Sequence, residues 1–119
     1  VRFEEINTED AEYLMVAYGL CARICHKAVN IAREKGIKVG LLRPITLFPF
    51  PTEKLYSLAD KMKLMLTVEL NAGQMVEDVR LSVNGKVPVE YYGRLGGMLP
   101  NPDEIVNILE NLINKNHAL

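Results

Sequence analysis

The chain has 119 residues, of which 49% are hydrophobic and 24% charged, as is usual for one globular domain with its own core. A net charge of −1 excludes the strongly basic class of nucleic-acid-binding domains. No apolar stretch approaches the roughly 20 residues that cross a bilayer, and the first residues do not resemble a signal or transit peptide. We therefore expect one cytoplasmic domain over residues 1–119, without nucleic-acid or membrane partners. Because the sequence does not begin with Met, it is expected to be a fragment of a longer subunit.

Apolar runs alternate with helical patterns along the chain. A buried strand over Tyr13–Tyr18 ends at Gly19, and a helix with apolar residues at helical spacing follows over Leu20–Lys35. The next strand, Ile37–Leu42, is expected to end at Arg43-Pro44, since proline cannot donate to a strand ladder. The remaining predicted elements are a helix with Thr52 as N-cap, a strand over Leu64–Val68, a helix from about Gln74 to Asn84-Gly85, a strand over Val87–Tyr92 that Pro88 places at a sheet edge, and a helix capped by Asn101 that runs through Leu112 before a fraying tail.

Strands that alternate with helices indicate the α/β class, with a mostly parallel sheet covered by helices on both faces. The pattern gives four strands, and a weaker alternation over Val1–Asn7 predicts a fifth, antiparallel strand at an edge. If the four main strands lie in the order 2-1-3-4, the loops after the first and third strands border a crevice at the carboxyl ends of the strands.

Polar residues and glycines collect at these carboxyl ends. The candidates are Gly19 after the first strand, Arg43 after the second, Glu69, Asn71 and Gln74 after the third, and Arg94 after the fourth. One hypothesis is a small-anion site against two helix N-termini; the other is that these residues shape turns and cap helices. No dinucleotide or P-loop motif is present. Glu69, which ends a buried strand, is a candidate for a functional carboxylate, for a helix cap or for an interface salt bridge.

Metal binding and catalysis find no support in the sequence. The two cysteines, Cys21 and Cys25, are four residues apart on one predicted helix, a geometry unsuited to a disulfide, so two buried free thiols are expected. His26 would point away from Cys25, and a fourth metal ligand is missing. No serine or cysteine has a positioned base, and we therefore predict no catalytic residue and no metal site.

Two blocks of sequence are specific when taken together: residues 43–51, Arg-Pro-Ile-Thr-Leu-Phe-Pro-Phe-Pro, and residues 69–74, Glu-Leu-Asn-Ala-Gly-Gln. With Tyr-Gly-Arg-Leu-Gly-Gly at 92–97, they make nearly the whole chain resemble the C-terminal domain of the alpha subunit of 2-oxoacid:ferredoxin oxidoreductases. The resemblance implies a three-layer α/β/α sandwich like the transketolase C-terminal domain, with four to five strands, one of them antiparallel.

The resemblance also implies an enzyme of anaerobic metabolism. Such an enzyme decarboxylates a 2-oxoacid oxidatively with coenzyme A and passes electrons through iron–sulfur clusters to ferredoxin. Thiamine diphosphate, Mg²⁺ and the clusters would be bound by other domains of the alpha subunit and by the beta subunit, with gamma and delta subunits where these exist. The chain fits that division, because it has neither a Gly-Asp-Gly motif nor a CxxC set. The isolated domain is expected to be inactive.

The role that we therefore expect for this domain is assembly, through the carboxyl edge of the sheet. This edge carries Arg43, Asn71, Gln74 and Arg94. Phe48 and Phe50 either belong to that contact or cover the sheet's own core. Two alternatives stay open: a free-standing module that binds a small anion between the Gly19 and Asn71 loops, and the matching domain of a transketolase or of a dehydrogenase beta subunit.

Overall fold

The computed structural model describes residues 2–46, 48–70, 73–93 and 99–117. Its elements are, in chain order, β1 (Phe3–Ile6), β2 (Tyr13–Val16), α1 (Gly19–Glu34), β3 (Val39–Pro44), α2 (Thr52–Ala59), β4 (Leu64–Glu69), α3 (Gln74–Val83), β5 (Val89–Gly93) and α4 (Pro102–His117). No helix in this part of the chain is long and apolar enough to cross a membrane.

The five strands form one sheet in the order β1-β3-β2-β4-β5. β2, β3, β4 and β5 run parallel, and β1 pairs antiparallel with β3, so that Phe3 lies opposite Pro44. The predicted order of the four main strands is therefore confirmed. So are the antiparallel edge strand near the N-terminus and the edge position of the strand that follows Pro88.

Helices cover both faces of the sheet, which makes the predicted three-layer sandwich. Met15, Leu41 and Leu66 face α1 and α4 in one apolar cluster. Their neighbours along the strands point to the other face and meet α2 and α3 in a second cluster. Because both faces of the central strands are buried, these strands read as continuous apolar runs rather than as alternating ones.

β1 approaches β3 very closely at Gly40. A Cβ atom at this position would lie 2.7 Å from the backbone oxygen of Asn7, a distance that real Cβ atoms do not adopt. The residue just after β1 thus packs directly on the backbone of β3. Glycine at position 40 is required by this approach and not by an unusual backbone angle.

The second strand was predicted over Ile37–Leu42, but β3 begins at Val39 and continues through Arg43 and Pro44. The N–H of Ile45 donates to the oxygen of Arg2 in a 2.9 Å bond, so the backbone at Pro44 faces the opposite side. On that side the last bond runs from the N–H of Ala17 to the oxygen of Leu42, at 3.2 Å. Pro44 has no N–H with which to continue this ladder, and β1 holds the extension of β3 from its own side.

Two helix ends also differ from expectation. Thr52 is not the N-cap of α2, since Pro51 holds that position and its oxygen accepts a 3.2 Å bond from the N–H of Leu55. The last helix does not end at Leu112 but continues to His117. Leu112 and Ile113 pack against the cluster under α1, and this burial outweighs the polar composition of the tail.

Candidate functional site

The predicted crevice at the carboxyl edge of the sheet is present as a pocket of about 200 Å³. It lies between the start of α1 and the end of β4, where its lining includes Gly19, Cys21 and Glu69. Two other predicted site residues, Asn71 and Arg94, lie outside the described residues. Gln74 is the first residue of α3.

Glu69 is almost fully buried, with 2% of its surface exposed, and its carboxylate caps α3. Oε1 accepts a 3.0 Å hydrogen bond from the N–H of Met75, and Oε2 accepts one of 3.0 Å from the N–H of Val76. The residue at the N-cap position itself, Gly73, has a left-handed backbone with φ of 85° and no side chain to offer. Glu69, at the end of β4, therefore caps the helix as a Ser, Asp or Asn at the N-cap position usually does.

This cap bears on the anion-site hypothesis. A free anion at the start of α3 would need the N–H groups of Met75 and Val76, and both are already bonded to Glu69. The negative charge that the helix end favours is thus supplied by the chain itself. The structure matches the helix-capping alternative that the sequence left open for Glu69.

The pKa values of three titratable groups at or near the pocket are raised. Burial, with a smaller effect of the negative Glu69, raises the pKa of the Cys21 thiol. Burial likewise raises the pKa of the Cys25 thiol well above its usual range. The same two causes as at Cys21 raise the pKa of Tyr91. Since the thiolate is the reactive form of cysteine, the pocket holds no activated thiol at neutral pH.

Both cysteines are buried free thiols, as the sequence predicted. Within the described ranges, no group of three or more His, Cys, Asp or Glu side chains is arranged to hold a metal ion. The described residues therefore do not fit the Mg²⁺ of thiamine diphosphate or an iron–sulfur cluster.

Arg43 lies on the α1-facing side of the sheet, next to β1. Its Nη1 donates to Oε1 of Glu4 across 2.8 Å, and the pair is partly exposed. Its Nε is buried and has no hydrogen-bond partner in the described part of the chain. The sequence placed Arg43 at the functional edge but gave no sign of this pairing, because the partner strand lies 39 residues away.

The two phenylalanines of the crossover after β3 lie in different environments. Phe48 is 96% exposed, whereas Phe50 packs against the α2/α3 cluster. Phe50 also lines an apolar cleft of about 580 Å³ with Phe3 and Pro51. The sequence analysis offered the same two alternatives for both rings. In the structure, Phe50 contacts the core, whereas Phe48 is exposed.

Two further exposed apolar residues lie just beyond strand ends and were not singled out from the sequence. Leu20 directly follows the turn after β2, and Ile45 directly follows β3; both are exposed. We call Leu20, Ile45 and Phe48 the apolar edge. The sequence offered no signal that separates them from Leu70, which also directly follows a strand but packs against the first apolar cluster.

The mostly parallel five-stranded sheet between two layers of helices makes this a three-layer α/β/α domain. Residues 11–105 match the family model of the pyruvate:ferredoxin oxidoreductase core domain II, and the chain belongs to this family. The family predicted from the two sequence blocks is thus confirmed.

Curated relatives support the assignment. The chain is 47% identical over 112 residues to the ketoisovalerate oxidoreductase subunit VorB of Methanothermobacter thermautotrophicus, an alignment that covers 94% of this chain and 31% of that subunit. It is 36% identical over 106 residues to the 2-oxoglutarate synthase subunit KorA of the same organism, covering 89% of this chain and 28% of the subunit. The chain thus spans less than a third of the length of these relatives.

Two solved structures share the fold. A 2-oxoglutarate:ferredoxin oxidoreductase from Magnetococcus marinus, with 2-oxoglutarate, coenzyme A and succinyl-CoA bound, superposes with a TM-score of 0.83 at 22% identity, over 93% of this chain and 19% of that one. A split-gene transketolase, described as an inactive beta4 tetramer, gives a TM-score of 0.78 at 18% identity, over 92% and 40% of the two chains. The predicted fold is confirmed.

Proposed function

We propose that the chain is a non-catalytic assembly domain of a thiamine diphosphate-dependent 2-oxoacid:ferredoxin oxidoreductase, within its alpha subunit. Family membership and the VorB and KorA relatives support a place in such an enzyme. The observation that carries the assembly role is the apolar edge, above all Phe48 with 96% of its surface exposed. This edge docks against another domain of the alpha subunit or against a partner subunit.

The apolar edge fits a contact surface physically. Burial of an exposed phenylalanine ring contributes about 1.5–3 kcal/mol. Leu20 and Ile45, at the ends of two neighbouring strands, would add to the same contact. Polar groups flank this edge, including the Arg43–Glu4 pair, as is usual at the rim of an interface.

The chemistry of the enzyme belongs to other parts of the complex. Thiamine diphosphate, Mg²⁺ and the iron–sulfur clusters would bind there, and coenzyme A and ferredoxin would be partners of the whole assembly. The shifted thiols and the lack of a ligand group among the described residues support this division. The isolated chain is accordingly inactive.

The substrate of the whole enzyme is a branched-chain 2-oxoacid. The basis is that the two VorB subunits, named for ketoisovalerate, are 47% and 50% identical to this chain, whereas the KorA subunits named for 2-oxoglutarate are 35–38% identical. A cytoplasmic location fits the two unpaired thiols, which a reducing compartment keeps free.

Co-expression of the complete subunits with a Phe48→Asp variant tests the assembly role. We expect the variant to lose co-purification and 2-oxoacid-dependent ferredoxin reduction together, because a carboxylate cannot be buried in an apolar contact without a partner. The folded state is checked by circular dichroism, which should not change, since Phe48 contributes little to the core.

Leu81→Asp is the matched control. Leu81 is 77% exposed on α3. Its substitution by Asp introduces the same new charge on the surface, away from the apolar edge. It should leave assembly and turnover unchanged. Normal assembly and turnover of Phe48→Asp, or an equal loss with Leu81→Asp, would argue against the assembly role.

A further inference from the structure

The apolar cleft beside Phe50, which we call the Phe50 cleft, lies between the edge strand β1 and the start of α2. Phe3 forms one wall, and residues 49–54 with Ser57 form the rest. The cleft exists because β1 extends the sheet beyond β3, while α2 packs beside α3 and leaves this end of the face open. Its volume of about 580 Å³ lies within the range of pockets that take up a bound group.

The lining of the Phe50 cleft favours an apolar occupant. Phe3 and Phe50 are partly buried, and each ring contacts both the α2/α3 cluster and the cleft. Lys54, the one cation among the described residues that line the cleft, is paired with Glu5 across 3.1 Å. A bound anion would therefore find no free cation in this lining, whereas an apolar side chain would bury the two rings further.

Hydrogen bonds hold the walls of the cleft in place. The N–H of Arg2 donates to Oγ1 of Thr46 across 3.1 Å, and this hydroxyl donates to the oxygen of Pro49 across 3.3 Å. Thr46 thus fastens the start of β1 to the crossover that forms the other wall. The N–H of Thr52 donates to the oxygen of Phe50 across 2.7 Å and fixes the turn into α2. A preformed cleft loses little conformational freedom when it is covered.

The position of the cleft indicates what covers it. The alignments with VorB and KorA cover 31% and 28% of those subunits. In the proposed function the chain is the C-terminal domain of such a subunit, so the rest of the subunit precedes residue 1. That part joins the domain at Arg2, which is bonded to Thr46 and adjoins Phe3. A segment tethered there meets the cleft at an effective concentration on the order of 1 mM, which favours it over a separate subunit.

We propose that the part of the alpha subunit that precedes residue 1 covers the Phe50 cleft and inserts a large aliphatic or aromatic side chain between Phe3 and Phe50. The inference rests on the proposed function, because it takes the chain as the C-terminal domain of that subunit. It adds a contact within the subunit to the apolar edge, whose residue Phe48 lies on the same crossover.

Thiol labelling of the complete alpha subunit, purified without its partner subunits, tests this contact. Ser57→Cys places a reporter in the cleft at an exposed residue of α2, and Leu81→Cys is the matched control at an exposed residue of α3 outside the lining. The rate of maleimide addition to each is read by mass spectrometry and divided by its rate in concentrated urea. We expect this ratio to be at least about tenfold lower for Ser57→Cys, because the covering segment excludes the reagent.

A second reporter and the complete complex separate the alternatives. Glu53→Cys, another exposed position in the lining, should be protected like Ser57→Cys, and circular dichroism verifies that each variant is folded. Ratios at both reporters equal to that of Leu81→Cys would overturn the proposal. Protection that arises only in the presence of the partner subunits would also overturn it, because the occupant would then come from one of them. The assembly role is read separately, by co-purification of Phe48→Asp with the partner subunits, so the two failures are distinguishable.

Discussion

Oε2 of Glu69 accepts a 3.0 Å hydrogen bond from the backbone N–H of Val76, seven residues later in the chain. The second oxygen is bonded in the same way to Met75, so the carboxylate ties the end of β4 to the start of α3. The loop between them is thereby fixed at both ends at the carboxyl edge of the sheet. Of the three roles that the sequence left open for Glu69, these two hydrogen bonds match the helix cap.

Substitution of Glu69 should be strongly destabilising. Glu69→Ala leaves two buried N–H groups without an acceptor and should lower the free energy of unfolding by about 2–4 kcal/mol. Glu69→Gln keeps one acceptor oxygen and should lower it by about 1–2 kcal/mol. Urea denaturation followed by circular dichroism measures both. Glu77→Ala, in the exposed first turn of α3, is the control and should stay within about 0.5 kcal/mol of the parent.

Gly40→Ala should destabilise the contact between β1 and β3. The new Cβ would lie 2.7 Å from the backbone oxygen of Asn7, and backbone cannot yield as a flexible side chain does. We expect a loss of about 1–3 kcal/mol in the free energy of unfolding. Amide hydrogen exchange should accelerate in β1 more than in β4, which lies on the other side of β2. Equal protection of β1 in both proteins would contradict this explanation of Gly40.

The N-cap of α4 offers a smaller and cleaner effect. Oδ1 of Asn101 accepts a 2.8 Å bond from the N–H of Glu104, as the sequence predicted. Asn101→Ala should therefore lower the free energy of unfolding by about 0.5–2 kcal/mol in a urea titration. Asn107→Ala, an exposed position inside the same helix, should be neutral or slightly stabilising, because alanine has the higher helix propensity. A similar loss at both positions would indicate a general effect of helix substitution instead.

The two thiols should be unreactive in the folded chain. Burial raises the pKa of both Cys21 and Cys25, so the thiolate fraction at pH 8 lies below that of a free cysteine. Alkylation by iodoacetamide at that pH should be slower than in concentrated urea by at least about tenfold. The rate is read by mass spectrometry. Rapid modification of Cys21 in the folded chain would mean that the pocket beside Glu69 activates it.

The order of strands and helices followed from the sequence because each element has a strong local signal. The apolar run of β2, the helical spacing in α1 and the Asn101 cap are such signals, and all three elements are present, although β2 ends at Val16 rather than at Tyr18. The strand order followed from the general topology of parallel sheets, and Pro88 marked an edge.

Two of the errors have a different origin, since they depend on contacts between distant parts of the chain. Pro44 stays in β3 because Arg2 and Phe3 pair with its end, and α4 extends because Ile113 packs near α1. The two hydrogen bonds of Glu69 depend on the path of the backbone after β4. Local pattern carries no information on these contacts, although it placed Glu69 at the right edge of the sheet.

The assembly role is tested most directly by amide hydrogen–deuterium exchange in the free chain and in the complete enzyme complex. If the apolar edge docks against a partner, exchange should slow on assembly in peptides that cover Ile45 and Phe48 and in those that cover Leu20. Peptides that cover Leu81 should exchange equally in both states. Unchanged exchange at Ile45, Phe48 and Leu20 in the complex would contradict the proposal that this edge is an interface.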